Sequence, residues 1–321
     1  MILMKTIFLT GSSGFIGQVA VRTILQSMSL DDRLYLLVRR PVQNFDHRVV
    51  PVQGDLRNLE LISNSIQRAD YVIHVAAEAR LLGRHDYFGI NADPVRNMIK
   101  ILQPSNRLER FIFISSIAAM DRSPSDKCKE PITIESPCCP RSEYGRSKLL
   151  AEKIIVQSGL PYTIFRPGFV YGTGMRDDSH LRKLAHCINH GVPLNRIGFP
   201  GRISLIHVGD LAAAMLKCIT GDSGRNCIYL AGTEVMPLGE ALAILGKLLL
   251  GRKLAQIPFP GMKYLVQRFH SRLPITATGM LIDYLWMDDP DFRGLFADNY
   301  LCRSFREAAM DIVVDLHKGR W

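Results

Sequence analysis

The 321-residue sequence has no stretch of about 18 consecutive apolar residues, the length that a membrane-spanning helix requires. It also lacks an N-terminal segment in which a basic start precedes an apolar run and a small-residue cleavage site. Internal repeats and low-complexity segments are missing as well. These absences argue against a secreted protein and a repeat array, and they predict a protein with no membrane span.

The cysteines form no metal-binding or disulfide pattern. Cys138 and Cys139 are adjacent, and the other five of the seven are isolated. Without Cys-x-x-Cys pairs or an even framework, the sequence predicts no metal site, reduced thiols and a cytoplasmic protein.

The basic residues form no run of five or more, although the formal net charge is +10. Such a charge attracts anions in general, whether a phosphate-rich cofactor, nucleic acid or an anionic membrane surface. Because the residues are scattered, we interpret most of them as solvated faces. We therefore expect a small-molecule substrate and no nucleic-acid partner.

Short β-rich runs alternate with helix-length segments in the first half of the chain. The apolar runs lie at 5–10, 33–38, 49–52, 71–75 and 110–115, and another follows at 162–165. This alternation is typical of βαβ units, which build a parallel sheet with helices on both faces. The predicted fold class is α/β, a Rossmann-type doubly wound parallel sheet with a smaller, helix-rich C-terminal substrate lobe.

The predicted domain boundaries follow from where this alternation loosens. The dinucleotide-binding domain is expected over 1–170, with 203–232 returning to the same sheet. The substrate-binding lobe is expected over 171–202 and 233–321. Within the returning segment, Asp210 is predicted to cap a helix that starts at Leu211.

A glycine-rich turn lies between the first predicted strand and the first predicted helix. It reads Thr10-Gly11-Ser12-Ser13-Gly14-Phe15-Ile16-Gly17, a GxxGxxG spacing in place of the usual GxGxxG of dinucleotide sites. In such a turn, backbone N–H groups and the positive end of a helix dipole meet a pyrophosphate. A plain strand-to-helix turn is the alternative, but the position at the start of a βαβ series favours a cofactor site.

The end of the second predicted strand bears on which cofactor binds. An acidic residue there would bind the ribose 2′-hydroxyl of NAD, whereas an arginine accepts the 2′-phosphate of NADP. The sequence reads Val38-Arg39-Arg40-Pro41, and the next carboxylate is Asp46. Because a guanidinium binds phosphate through paired hydrogen bonds, Arg39 predicts NADP in preference to NAD.

Tyr144 and Lys148 are candidates for proton transfer, since a spacing of four places them on one face of a helix. A tyrosine with its ordinary pKa of about 10 is a poor base. A nearby ammonium favours the phenolate and brings the pKa towards working pH. Ser115 and Ser116 close the fifth strand, at the sheet edge that forms the ligand crevice, where a hydroxyl polarises a carbonyl or binds backbone.

These motifs together resemble the extended, in part atypical, short-chain dehydrogenase/reductase family over about residues 4–232. Its NAD(P)-dependent epimerase/dehydratase and 3-beta-hydroxysteroid-dehydrogenase-like members show the pattern. Further matches are Gly54-Asp55-Leu56, Ile73-His74-Val75-Ala76-Ala77, Asn91, Arg166-Pro167-Gly168 and His207-Val208-Gly209-Asp210-Leu211. His74 itself lies in an apolar strand, and we interpret it as a satisfied core histidine.

The resemblance implies a role for each matching residue. The implied catalytic residues are Ser116, Tyr144 and Lys148. The implied cofactor-binding residues are Thr10, Gly11, Ser13, Gly14, Phe15, Ile16, Gly17, Arg39, Asp55, Leu56, Ala76, Ala77, Asn91, Tyr144, Lys148, Pro167 and Gly168. Substrate contacts are expected from Glu78, Ser116, Phe169 and Arg202. The family likeness also implies a homodimer through a helix bundle.

Three functions stay open at this point. One is NADP-dependent reduction of a ketone, or oxidation of a secondary alcohol, on a fairly apolar molecule. Another is nucleotide-sugar epimerisation or dehydration with tightly held NAD, and the third is non-catalytic nucleotide sensing. Where nucleotide-sugar enzymes usually carry a diphosphate-binding asparagine and an arginine, this sequence has Phe169 and Ile203. That difference favours the first function, although Arg202 is only one position out of register.

Overall fold

The computed structural model describes residues 4–42, 46–80, 85–121, 130–252, 255–258, 261, 264, 268, 286–296 and 300–318. The described residues fall into two compact units. The first comprises Met1–Ala119, Glu143–Arg166 and Leu211–Tyr229, and the second Met120–Ser142, Pro167–Asp210 and Leu230–Trp321.

A seven-stranded sheet forms the centre of the first unit. Its strands are β1 (Thr6–Thr10), β2 (Arg33–Val38), β3 (Val49–Gln53), β4 (Tyr71–His74), β5 (Arg110–Ile114), β6 (Tyr162–Pro167) and β10 (Cys227–Ala231). The strand order is β10-β6-β5-β4-β1-β2-β3, and the ladders from β3 to β6 are parallel. The predicted doubly wound parallel sheet is thereby confirmed.

Burial on both faces explains why these strands are almost continuously apolar. Every residue of β1, β4 and β5 is buried. Parallel strands that are covered by helices on both sides cannot alternate between apolar and polar residues. Since the strands run in one direction, the carboxyl ends of β1, β4 and β5 lie side by side at one edge of the sheet.

The helices on this sheet are α1 (Phe15–Ser27), α2 (Ser63–Gln67), α3 (Tyr87–Asn91), α4 (Asp93–Leu102), α5 (Glu143–Gln157) and α7 (Val208–Thr220). Helix α4 shows why they pack there. Its buried residues Val95, Met98, Ile99 and Leu102 follow the helical spacing and join the core that contains Phe111.

In the residues that the structure describes, the second unit contains two small sheets and five α-helices. A three-stranded sheet has the order β11 (Glu234–Pro237), β9 (Arg202–His207), β7 (Phe169–Tyr171), and β12 (Ile257–Pro258) pairs with β8 (Ile197–Gly198). The helices are α6 (His180–Asn189), α8 (Leu238–Leu250), α9 (Pro290–Gly294), α10 (Phe305–Ala308) and α11 (Met310–Lys318). Among the helices of the described ranges, none combines the length and apolar character needed to cross a bilayer.

The segment 203–232 differs in part from the sequence expectation. Its last strand, β10, belongs to the seven-stranded sheet, whereas β9 belongs to the three-stranded sheet. The chain changes sheets at Gly168, where a Cβ atom would lie 2.4 Å from the Ser204 carbonyl oxygen. Glycine therefore allows the chain beyond it to pair with β9, with Phe169 opposite Leu205.

Asp210 also differs from its predicted role as a helix cap. Helix α7 begins at Val208, so Asp210 lies inside its first turn. Its buried carboxylate accepts hydrogen bonds from the Tyr300 hydroxyl at 2.8 Å, the Arg303 N–H at 2.9 Å and the Arg303 guanidinium at 3.0 Å. Asp210 thus anchors the C-terminal segment of the second unit.

Candidate active site

The glycine-rich turn connects β1 to α1. Gly14 N donates to Gly11 O at 3.0 Å, and Gly14 is the N-cap residue of α1. Among the described residues, no side chain caps α1, and its first turn, which Phe15 and Ile16 begin, contains no acidic residue. Within this part of the chain, no capping oxygen or first-turn carboxylate competes with an anion for the N–H groups of the helix end.

Two positions in the turn require glycine for steric reasons. Gly11 has φ +79°, and a Cβ atom there would lie 2.6 Å from Ala76 N. At Gly17, a Cβ atom would lie 2.0 Å from Gly11 O. Since the backbone closes this tightly and leaves the helix end uncovered, the turn fits the pyrophosphate of a dinucleotide.

His74 ties this turn to β4. Its ring is buried, and its Nδ1 atom lies 2.7 Å from Thr10 Oγ1, to which Ala76 N donates at 3.4 Å. Burial, and to a smaller extent the charge of Lys148, lowers the pKa of His74 to about 3, so the ring is neutral. His74 is a core residue as predicted, but its Nε2 atom has no hydrogen-bond partner in the described part of the chain.

Arg39 and Asp55, two of the predicted cofactor-binding residues, follow two neighbouring strands. Arg39 is exposed just beyond β2, and Asp55 is exposed just beyond β3, with Val38 paired opposite Gln53. The Asp55 carboxylate accepts a hydrogen bond from Arg57 N at 2.9 Å, which shapes the turn that contains Leu56. Asp46 forms an ion pair with Arg48, whose guanidinium lies 2.8 Å from the Asp46 Oδ2 atom.

Tyr144 and Lys148 lie on α5, as the spacing predicts. Lys148 is only 1% exposed, and its Nζ atom donates to Ile114 O at 2.7 Å, at the end of β5. Burial lowers the pKa of Lys148 to about 7, and the charge of Glu152 acts in the opposite direction. The half-buried Tyr144 ring lies edge-on to Tyr87, with 6.1 Å between ring centroids.

Ser116 follows β5 directly and is half-buried. Its Oγ atom accepts a hydrogen bond from Ala118 N at 3.2 Å, and its carbonyl oxygen accepts one from Ala119 N at 3.0 Å. These bonds begin the short 3₁₀ helix Ile117–Met120. A hydroxyl that accepts one hydrogen bond can still donate its own hydrogen, so this group suits a ligand oxygen.

Asn91 joins the segment after β4 to the first turn of α5. Its side chain is buried, Oδ1 accepts from Glu78 N at 2.8 Å, and Nδ2 donates to Glu78 O and Ser147 Oγ, each at 3.0 Å. Ser147 Oγ in turn donates to Tyr144 O at 2.8 Å. All these bonds go to protein groups, so Asn91 acts on the site through its neighbours.

Glu78 lies beside two basic side chains. The guanidinium of Arg80 lies 2.5 Å from its Oε2 atom, and His85 Nδ1 lies 3.8 Å from the same oxygen. The hydrogen bond from Arg80 lowers the pKa of Glu78 to about 2. This carboxylate therefore suits hydrogen-bond acceptance better than proton donation.

A buried cluster of Glu152, Arg166 and Ser115 was not identified from the sequence. Arg166 forms an ion pair with Glu152, with 2.6 Å between Nη2 and Oε2, and Ser115 Oγ donates to the same carboxylate. The signal for Glu152 was its spacing from Tyr144 and Lys148, since steps of four residues fall on one helix face.

The remaining predicted residues belong to the second unit. Pro167 is buried, and Gly168 N donates to Ala231 O at 3.2 Å. The Phe169 ring lies edge-on to His180, with 5.9 Å between centroids, and the Arg202 guanidinium lies 3.8 Å from the centroid of the Trp286 ring. In the described ranges, no three His, Cys, Asp or Glu side chains converge as ligands for a metal ion.

Known proteins resemble this chain in sequence and in fold. The family model of the NAD dependent epimerase/dehydratase family matches residues 7–232. A UDP-glucose 4-epimerase of Vibrio cholerae is 28% identical over 237 residues, which cover 70% of this chain and 70% of that protein. A ceramide reductase of Caulobacter vibrioides is 29% identical over 211 residues, which cover 65% of this chain and 59% of that protein.

The UDP-glucuronic acid 4-epimerase of Bacillus cereus, solved in complex with UDP-glucuronic acid and NAD, has the same fold. Its TM-score with this chain is 0.74 at 16% identity, over 98% of this chain and 99% of that one. The matched range extends from β1 to the end of β10, and it confirms the family resemblance that the sequence predicts. The chain therefore belongs to the NAD dependent epimerase/dehydratase family, among the enzymes of the extended short-chain dehydrogenase/reductase type.

Proposed function

We propose that this protein is an NADP-dependent oxidoreductase that reduces a ketone, or oxidises a secondary alcohol, on a fairly apolar small molecule. The observation that carries the proposal is the buried Lys148, whose pKa is lowered to about 7, one turn from Tyr144 on α5. A lysine at its midpoint near neutral pH suits a site that exchanges protons at that pH. We further propose a cytoplasmic homodimer, on the analogy of the family.

The chain's own residues divide the work at the carbonyl group. Tyr144 donates the proton to the carbonyl oxygen, and the Ser116 hydroxyl donates a hydrogen bond to the same oxygen. One N–H donor of Lys148 is bound to Ile114 O, and we assign the others to the cofactor ribose and the Tyr144 phenol. A bound nicotinamide in its reduced form supplies the hydride.

The preference for NADP rests on the end of β2. Arg39 and Arg40 are exposed there, and the first carboxylate after them, Asp46, already binds Arg48. A carboxylate placed as in NAD-specific sites would repel a 2′-phosphate, whereas a guanidinium pairs with it.

Replacing Arg39 with Asp is therefore expected to reverse the cofactor preference. In the unmodified protein, NADPH should bind at least about tenfold more tightly than NADH, because a hydrogen bond to a charged group contributes about 1.5–3 kcal/mol. Titration by cofactor fluorescence measures both affinities. Arg225→Asp, at an exposed loop before β10, makes the same change in charge and should leave the preference unaltered. Equal affinities of the unmodified protein for both cofactors would remove the case for NADP.

Nucleotide-sugar epimerisation or dehydration with tightly held NAD is the second candidate. The similarity to the Vibrio cholerae UDP-glucose 4-epimerase over 70% of both chains favours it. The similarity to a ceramide reductase favours reduction of an apolar substrate instead. The side chains also differ from a diphosphate site, because Ile203 is 1% exposed and Arg202 stacks on Trp286. Non-catalytic nucleotide sensing is disfavoured by the retained Ser116, Tyr144 and Lys148.

Substrate class is tested by turnover and by calorimetry. With NADPH, the protein should reduce apolar or aromatic ketones and show no epimerase or dehydratase activity on nucleotide sugars. UDP and dTDP should not bind at micromolar concentration, since a diphosphate near Phe169 and Ile203 loses hydration without gaining donors, at a cost of several kcal/mol. Micromolar binding of either nucleotide would instead support the sugar-modifying function.

A further inference from the structure

A buried ion pair, Glu152 with Arg166, connects α5 to β6. The Glu152 side chain is 2% exposed and that of Arg166 is 5% exposed. The contact is bidentate, with Nη2 of Arg166 2.6 Å from Oε2 and Nε 3.1 Å from Oε1. Arg166 lies in β6, so the pair joins α5 to the sheet.

The same face of α5 also holds the end of β5 at two consecutive residues. Lys148 Nζ donates to Ile114 O at 2.7 Å, and Ser115 Oγ donates to the Glu152 carboxylate. Ser115 N donates to Phe165 O at 2.7 Å, which links β5 to β6 just before Arg166. The next residue along the chain is Ser116. Glu152 therefore connects its own helix, α5, to the end of β5 and to β6.

We infer that Glu152 is a positioning residue for the proposed reaction. Through its contacts with Ser115 and Arg166, it fixes the position of Ser116 relative to Tyr144. Its carboxylate also favours the protonated form of Lys148. This inference rests on the roles proposed for Ser116, Tyr144 and Lys148. A buried ion pair is not needed for stability alone, because well-packed apolar residues of similar volume often serve as well or better. The pair differs from such residues in its directed hydrogen bonds and its charge.

The groups around Lys148 indicate which residue favours its protonated form. Tyr144 and Glu152 face Lys148 from its own helix, and His74 faces it from β4. Arg166 adds a positive charge from β6 on the far side of Glu152. Of these groups, only Glu152 is a carboxylic acid, and its interaction with Lys148 opposes the burial that lowers the pKa of Lys148. Neutralising Glu152 therefore lowers the pKa of Lys148 further.

Three variants separate positioning from simple packing. Glu152→Gln keeps the shape and removes the charge, Ser115→Ala removes only the link to β5, and Glu152→Leu with Arg166→Met replaces the pair by apolar side chains. Lys153→Gln, at the adjacent exposed position of α5, is the matched control. The titration of Lys148 is followed by ¹³C NMR of labelled lysine, with the signal assigned by its loss in Lys148→Met. Turnover is measured on the ketone that the unmodified protein reduces fastest.

The midpoint of the Lys148 titration should fall by about one pH unit or more in Glu152→Gln, and by less in the double variant, which also removes the positive charge of Arg166. Turnover should fall at least about tenfold in all three variants, with KM nearly unchanged, because a misplaced Ser116 weakens the transition state more than substrate binding. Ser115→Ala should keep the Lys148 midpoint, and Lys153→Gln should change neither quantity.

An unaltered Lys148 midpoint in a folded Glu152→Gln variant would overturn the proposed electrostatic effect of Glu152 on Lys148. Normal turnover of Ser115→Ala would overturn the positioning part, and this variant keeps the ion pair and thus the fold. If the unmodified protein reduces no ketone, the proposed function fails. The NMR titration then still decides whether Glu152 supports Lys148, since it requires no turnover.

Discussion

Tyr144→Phe should lower turnover by a factor of about 10²–10⁴, the usual contribution of a positioned proton donor, and leave NADPH affinity within about twofold. The phenylalanine ring keeps the edge-on contact with Tyr87, and Ser147 binds the main-chain oxygen of residue 144, which the substitution does not alter. The substitution removes the hydroxyl group and with it the transferable proton. Steady-state turnover and cofactor titration on the same preparation measure both quantities.

Tyr87→Phe is the matched control for this substitution. It removes a phenol at an adjacent position, where the hydroxyl donates to Arg80 O at 2.5 Å, and it preserves the ring that Tyr144 contacts. Turnover of this variant should remain close to that of the unmodified protein. If Tyr144→Phe retained most of its activity, Tyr144 would not be the proton donor, and a different site or a non-catalytic role would gain support.

The parts of the fold that the sequence predicts well are those set by local pattern. The run Phe111-Ile112-Phe113-Ile114 indicated a strand buried on both faces, and β5 lies inside the sheet with all its residues buried. The glycine spacing of 11–17 indicated a tight strand-to-helix turn, and the structure supplies the reason in the close approach of Gly17 to Gly11. Spacing alone also placed Tyr144 and Lys148 on one helix.

The parts that the sequence did not predict depend on partners far away in the chain. Asp210 resembled a helix cap, but its carboxylate binds Tyr300, which is 90 residues distant. The sequence predicts strand β9 in the main sheet, but the structure places it in the three-stranded sheet. A strand pattern in a sequence does not specify which strands it pairs with. Its placement depends on the backbone contact between Gly168 and Ser204.

The Glu152 and Arg166 pair shows the same limit within the site. Single charged residues in a sequence are usually solvated. The spacing of Glu152 places it on the same helix face as Tyr144 and Lys148, but it does not show that the carboxylate is buried or that Arg166 is its partner. They lie 14 residues apart, on a helix and on the strand after it, so only the folded sheet shows that they meet. Arg166 was grouped with Pro167 and Gly168 by motif, whereas the structure makes it the partner of a buried carboxylate.

Lys148→Met should weaken NADPH binding by about tenfold to a hundredfold and also lower turnover. Hydrogen bonds from a charged group contribute about 1.5–3 kcal/mol, and the ammonium is assigned to the cofactor ribose as well as to Tyr144. Methionine is similar in length and fills the apolar site beside Phe113, so the fold should be retained. Lys153→Met, at the adjacent exposed position, is the control and should bind NADPH normally.

The pH dependence of NADPH binding tests whether the charge of Lys148 is what stabilises the bound cofactor. The pKa of Lys148 is lowered from 10.5 to about 7, so the free protein loses this charge as the pH rises through about 7. If the cofactor favours the ammonium, binding takes up a proton above that pH, and affinity falls by at most about tenfold per pH unit. Between pH 7 and 9, NADPH affinity should therefore decline in the unmodified protein and stay level in Lys148→Met.

Thermal unfolding gives an independent check on the same group. Between about pH 7 and 10.5 the unfolded chain holds the proton that folded Lys148 has released, so this residue makes the stability of the unmodified protein rise with pH. Lys148→Met has no such group, and its stability should rise less over that window. An affinity that is independent of pH in the unmodified protein, together with unchanged binding by Lys148→Met, would contradict the assignment of the ammonium to the cofactor.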